Sequence, residues 1–199
     1  IKRHVDPTFN PRSIVDFGCG VGRVVIPFAR VAKKAIGIDV SASMLLEARK
    51  NCNEFGVKNV ELLVSDDKLV ALNETYDLIH SFIVFQHISP QRGRDIFEIL
   101  LSRLGAGGVA AIHFSYAKSR LADVYGYEED RQPKASIRGK LWKTPGIPIP
   151  PNADPEMQMN LYLLNPLMFI IQSAGIQKFH AEFTDHGGEL GIFIFFKKN

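Results

Sequence analysis

Val15-Asp16-Phe17-Gly18-Cys19-Gly20-Val21-Gly22-Arg23 decides how this chain is read. The stretch grows out of a short apolar run, Ser13-Ile14-Val15-Asp16-Phe17, and leads into helical patterning over residues 21–32. An apolar run of that length bounded by glycine reads as a buried strand. Glycines at alternate positions let the backbone turn sharply and approach a ligand, because no Cβ stands in the way. A helix N-terminus beyond such a turn offers free N–H groups to whatever lies in the loop. The stretch therefore reads as a cofactor-binding turn between a strand and a helix.

Outward from this turn the same alternation repeats. A second strand is expected over residues 35–39, after which Ser41 or Ser43 can cap a helix carrying Met44, Leu45, Ala48 and Cys52 at helical spacing, with Gly56 placed to end it. Strands follow over 60–64 and 76–82, then a helix over 91–104 stopped by Gly105-Ala106-Gly107-Gly108, then a strand over 109–114. Strands joined by helical crossovers imply a parallel sheet covered on both faces. The tail differs: a helix over 166–174 precedes two strands, 177–183 and 191–197, joined by Thr184-Asp185-His186-Gly187-Gly188. A short glycine-bearing link between strands is a hairpin, so the last strand should run antiparallel. The expected fold is α/β, a doubly wound, Rossmann-like, three-layer αβα domain spanning residues 1–199, with a seven-stranded, mostly parallel sheet.

Residues 115–160 break the pattern with Tyr125, Tyr127, Trp142 and the run Pro145-Gly146-Ile147-Pro148-Ile149-Pro150-Pro151. A long irregular segment leaving a sheet strand reads as a substrate or lid insertion.

Composition narrows the function classes. A 46% hydrophobic and 23% charged content is ordinary for a globular domain, and a net charge of +3 is too small to argue for nucleic acid. No apolar run approaches the about 18 residues of a membrane span. Ile1-Lys2-Arg3-His4 leads into polar residues and prolines rather than a signal peptide. Cys19 and Cys52 make neither a disulfide framework nor a metal cluster, so a reducing, cytoplasmic setting is expected.

The turn excludes two common cofactor sites. Arg23 stands where a dinucleotide-binding turn has its third glycine, and no Gly-Lys-Ser/Thr follows as in a P-loop. Asp39 ends the second strand about 20 residues on, where a doubly wound sheet places an acid on a ribose. Asp66-Asp67 follows the third strand at the same edge. Acids at successive strand ends suit a ligand with hydroxyls, an exocyclic amine and positive charge, not a pyrophosphate.

With these residues in view, the chain resembles the class I S-adenosylmethionine (SAM)-dependent methyltransferases. Asp16-Phe17-Gly18-Cys19-Gly20-Val21-Gly22-Arg23 is similar to their first motif, D-x-G-C-G-x-G-R, and Gly37-Ile38-Asp39-Val40-Ser41 with Met44-Leu45 to the G-x-D-x-S-x-x-M-L that follows. Tyr76-Asp77-Leu78-Ile79, Ser81 and Val84-Phe85-Gln86-His87-Ile88 resemble their fourth-strand segment. The resemblance implies that Gly18, Cys19, Gly20, Gly22 and Arg23 form the turn under the methionine part of SAM, with Asp16 orienting its ammonium. It implies that Asp39 meets the ribose hydroxyls, Val40 and Met44 the adenine, Asp66 the adenine amine and the Asp67 backbone a ring nitrogen. Ser81 and Phe82 would line the methionine side. Relatives carry covering helices before the first strand, whereas a dozen residues precede Ser13 here, so a more open site is expected.

The activity so implied is methyl transfer to an oxygen or nitrogen of a small-molecule acceptor, with S-adenosylhomocysteine (SAH) as product. His87, just after the fourth strand, is the candidate base. His113 reads as a core histidine, and His186 and Tyr162 stand further down as bases. No N-P-P-Y-like motif follows the fourth strand, which favours a small acceptor over a nucleobase or protein amide. A catalytically silent partner subunit on the same fold is a second reading, and a nicotinamide oxidoreductase a third.

Overall fold

Ser13–Phe17 forms β1, and its alternating side chains divide the molecule into layers: Val15 and Phe17 enter one core, Ile14 another. The computed structural model describes residues 1–119 and 159–199. Parallel to β1 lie β2 (Lys34–Asp39), β3 (Val60–Val64), β4 (Tyr76–Ser81) and β5 (Leu104–Lys118), while β6 (Phe179–Asp185) and β7 (Glu189–Lys197) form an antiparallel hairpin. The seven strands lie in the order β3-β2-β1-β4-β5-β7-β6, with β7 antiparallel to β5. This is the doubly wound sheet that the sequence predicts, with the reversal of chain direction at its C-terminal end.

Helices cover both faces. One core joins Val15, Ile36, Ile79, Ile112 and Ile194 of the sheet to Phe97 and Leu100 of α3 (Pro90–Ser102) and Leu167 and Ile171 of α4 (Leu164–Ser173). On the opposite face, Ala35 packs with Val25 and Ile26 of α1 (Val25–Ala29) and Leu45 and Cys52 of α2 (Ala42–Glu54). Further along that face Phe9, Ile14, Leu78 and Val109 form a third cluster, against which Ile1 and Val5 pack. Ser41 caps α2, its Oγ accepting from the Met44 N–H at 3.3 Å.

Three local expectations give way. The helix after the glycine turn is five residues, not the span 21–32, because residues 20–24 stay in turns and Pro27 brings no N–H to the ladder. Gly105 to Gly108 do not stop a helix: α3 ends at Ser102, and these glycines form an irregular start to β5, where a Cβ on Gly108 would lie 2.9 Å from the Gly105 carbonyl oxygen. β5 then runs on to Lys118, so the first residues of the expected insertion belong to the sheet. The aromatic and proline residues on which the lid expectation rests lie outside the described residues. Among the described residues no helix is long and apolar enough to cross a membrane.

Candidate cofactor site

The parallel sheet brings the ends of β1, β2 and β4 together, and there the glycine turn meets two acids. Asp39, the last residue of β2, fixes the turn by its carboxylate: Oδ2 accepts from the Gly20 N–H at 2.8 Å and Oδ1 from the Ser41 N–H at 2.9 Å. Each oxygen keeps a further lone pair. Beside it Val40 is 67% and Met44 46% exposed, two large apolar side chains with no cover. A carboxylate flanked by bare apolar surface fits a sugar joined to a flat base.

Gly18 is a position where no other residue fits. Its φ is +75°, and a Cβ would overlap the Val84 side chain, lying 2.6 Å from Cγ1. Val84 is carried there by Ile83, whose φ of 60° is an unusual conformation for a β-branched residue. The strained turn after β4 thus packs directly onto the glycine turn after β1.

Asp16 lies in β1 just before the turn. It is buried, with Oδ1 2.8 Å from Nδ1 of the buried His80. The parallel register sets Asp16 opposite His80, and neither the motif nor its spacing discloses this partner. Cys19 turns inward: its Sγ would stand 2.8 Å from a Cβ on Gly37, and burial, then the Asp16 and Asp39 charges, push its thiol up to about 12. At the end of β4, one residue past His80, the buried Ser81 Oγ has no hydrogen-bond partner among the described residues. An orphaned hydroxyl beside the glycine turn is consistent with a polar ligand there.

Asp66 and Asp67 follow β3 but divide their work. The exposed Asp66 accepts at Oδ1 from the Lys68 and Val70 N–H groups, closing a turn. Asp67 makes a bidentate pair with Arg92 of α3, whose guanidinium holds the carboxyl below the usual carboxylate range. Only the backbone of Asp67 is therefore left for a base edge. Arg23 is exposed.

His87 ends a 3-10 turn, Phe85–His87, that follows β4. Ties from both sides of the insertion hold this turn. The Gln86 carbonyl oxygen accepts from the Asn160 N–H at 2.7 Å, and Ser115 Oγ donates to Gln86 Oε1. The Tyr162 hydroxyl reaches the Phe85 and Ile88 carbonyls at 3.0 and 2.8 Å. Phe82 sits in a ring cluster with His113, His186 and Phe193, centroids 5.0, 5.8 and 5.2 Å away.

His113 is a core residue, as its place in β5 suggests. Its Nε2 lies 2.8 Å from Thr184 Oγ1, and burial, with His186 adding to it, lowers its pKa from 6.5 to about 4. The unfolded chain binds this proton at higher pH than the folded one, so stability rises with pH between those two values. On this account the protein loses up to about 3 kcal/mol on going from neutral pH to about pH 4. Melting temperatures across that window check it: His113→Gln should flatten the slope, and an unchanged slope would exclude His113 as its source.

The fold is that of the class I methyltransferases. Residues 14–108, just under half of the chain, match the family model described as a methyltransferase domain. Ribosomal protein L11 methyltransferase of Pasteurella multocida is 27% identical over 140 residues, 65% of this chain and 45% of that protein. Malonyl-[acyl-carrier protein] O-methyltransferase of Bacillus anthracis is 30% identical over 118 residues, 54% of this chain and 43% of that one. The chain thus spans less than half the length of these relatives. Among solved structures, magnesium protoporphyrin IX methyltransferase from Synechocystis PCC 6803 with bound SAH shares the fold, with a TM-score of 0.70 at 17% identity, over 98% of this chain and 77% of that one.

Proposed function

We propose that this chain binds SAM and transfers its methyl group to an oxygen or nitrogen atom of a small-molecule acceptor. The observation that carries the reading is Asp39: a carboxylate bonded to the glycine turn, with spare lone pairs, beside exposed Val40 and Met44. Bound there, SAM would supply an electrophilic methyl group on a sulfonium and leave as SAH. Asp39 would hold the ribose hydroxyls, Val40 and Met44 the faces of the adenine, and Asp66 Oδ2 with the Asp67 backbone its polar edge. The glycine turn, backed by Val84 on Gly18, would pass beneath the methionine part, with Asp16 and Ser81 near its ammonium. Alignment and exclusion of water are then the main tasks of the protein. The Phe82 ring cluster offers a flat wall for an acceptor, and His87 would take its proton where the acceptor needs a base.

Proteins similar to this chain are named for a ribosomal protein, an acyl carrier and a porphyrin, so the small-acceptor reading rests on the sequence after the fourth strand rather than on them. Calorimetric titration of the chain with SAM, SAH and NADH tests the reading. The expected result is binding of the first two in the micromolar range and none of the third. Binding of NADH alone would overturn it.

A further inference from the structure

On the sheet face opposite α3 and α4, far from Asp39, three potential metal ligands come together. His180 and Glu182 alternate along β6, so they share one face, and His180 Nε2 lies 3.2 Å from Glu182 Oε1. His4 stacks on His180 with ring centroids 3.9 Å apart and 4° between the planes. One ligand atom from each of the three lies within 4.8 Å of the others. From these groups the geometry points to a binding site for a divalent transition-metal ion, zinc best, that latches the N-terminal segment onto edge strand β6.

The donor set suits this ion. Two imidazoles and a carboxylate are ordinary zinc ligands, with metal–ligand bonds of about 2.0–2.2 Å. Ligand atoms around one ion therefore stand about 3–4 Å apart. The His180–Glu182 spacing already meets this, and His4 completes the set by tilting out of its stack and moving inward by about 1 Å. Water would fill the remaining positions.

His4 is not carried on a loose end. The Val5 N–H donates to the Ile1 carbonyl at 2.8 Å, closing a turn around it. Lys197 Nζ meets Asp6 Oδ2 at 2.7 Å, and Phe9 is buried, so the segment is fixed beyond His4 as well. The thiols do not compete for the ion, since Cys19 and Cys52 are both buried and their pKa values are raised. β6 is five strands from β2 in the sheet order, about 24 Å away, so this ion would have no part in cofactor binding.

Titration of the metal-free chain with Zn2+ by calorimetry, and with Co2+ followed by visible absorption, tests the site. The expected result is one ion per chain at micromolar affinity and a melting temperature raised by Zn2+ and restored by EDTA. His4→Ala, His180→Ala and Glu182→Gln should each weaken binding by about tenfold or more, while His186→Ala should not. These side chains are partly or largely exposed, so their removal leaves the core intact. No binding, or binding that survives His180→Ala, would reduce the cluster to a surface stack and ion pair.

Discussion

Asp39→Ala is expected to weaken SAH binding by about 100-fold or more while leaving the chain folded. Two losses combine. The Gly20 and Ser41 N–H groups lose the carboxylate that orders the glycine turn, and the ribose hydroxyls lose their acceptor. Hydrogen bonds to a charged group contribute about 1.5–3 kcal/mol each, and 1.4 kcal/mol is tenfold in affinity. Asp39→Asn should do little better, because an amide presents one acceptor oxygen where two are used. Asp39 is half-buried at a strand end, so the thermal transition should fall by only a few degrees. SAH affinity within threefold of the parent would remove Asp39 from the site. The result also separates an enzyme or SAM-binding subunit from a scaffold, whose contacts would not depend on this carboxylate.

Gly93→Ala should have the largest effect on stability, at a position outside every motif. Gly93 lies on α3 against Tyr162, and a Cβ there would overlap the phenol oxygen and stand 2.8 Å from Cζ. The ring is fully buried and its hydroxyl holds the Phe85 and Ile88 carbonyls, so it has no free space to enter. Overpacking of this kind costs about 1–3 kcal/mol, and we expect the upper end, a fall of about 6–12 °C in Tm for a domain of this size. The damage should reach the cofactor, because the displaced turn also carries Val84, which packs on Gly18. Tyr162→Phe should cost less, about 1 kcal/mol, since packing survives and only hydroxyl bonds are lost. A Gly93→Ala protein that melts within 2 °C of the parent would show, on the same scale, that α3 moves away freely.

Much of the architecture is legible in the sequence because its determinants are local. The apolar run ending in Asp39, the run over 76–82, the glycine turn and the glycine pair Gly187-Gly188 each specify their own element. The sites of misreading are those where a distant partner decides. Gly105 to Gly108 look like a helix stop, yet they form the bulged start of β5 opposite Tyr76. The pairing of Asp16 with His80 depends on strand register, across 64 residues of sequence. Arg92 takes the Asp67 carboxylate from 25 residues away, and Tyr162 reaches Phe85 across 77. Spacing within one motif carries no trace of such contacts. The glycine turn and the strand ends around it are therefore largely readable, and their support from behind is not.

The sheet order has a consequence for synthesis. β7 follows β6 in the chain but lies between β5 and β6 in the sheet. Until β7 leaves the ribosome, β6 has no partner, and β5 ends the nascent sheet with Ala110, Ile112 and Phe114 beside an open row of N–H and C=O groups. An open, apolar edge of this kind is a template for pairing with other chains. Elongation at about 5–20 residues per second would leave it bare for seconds. A chain released only as far as β6 would carry this open edge, and β7, entering between β5 and β6, ends its exposure.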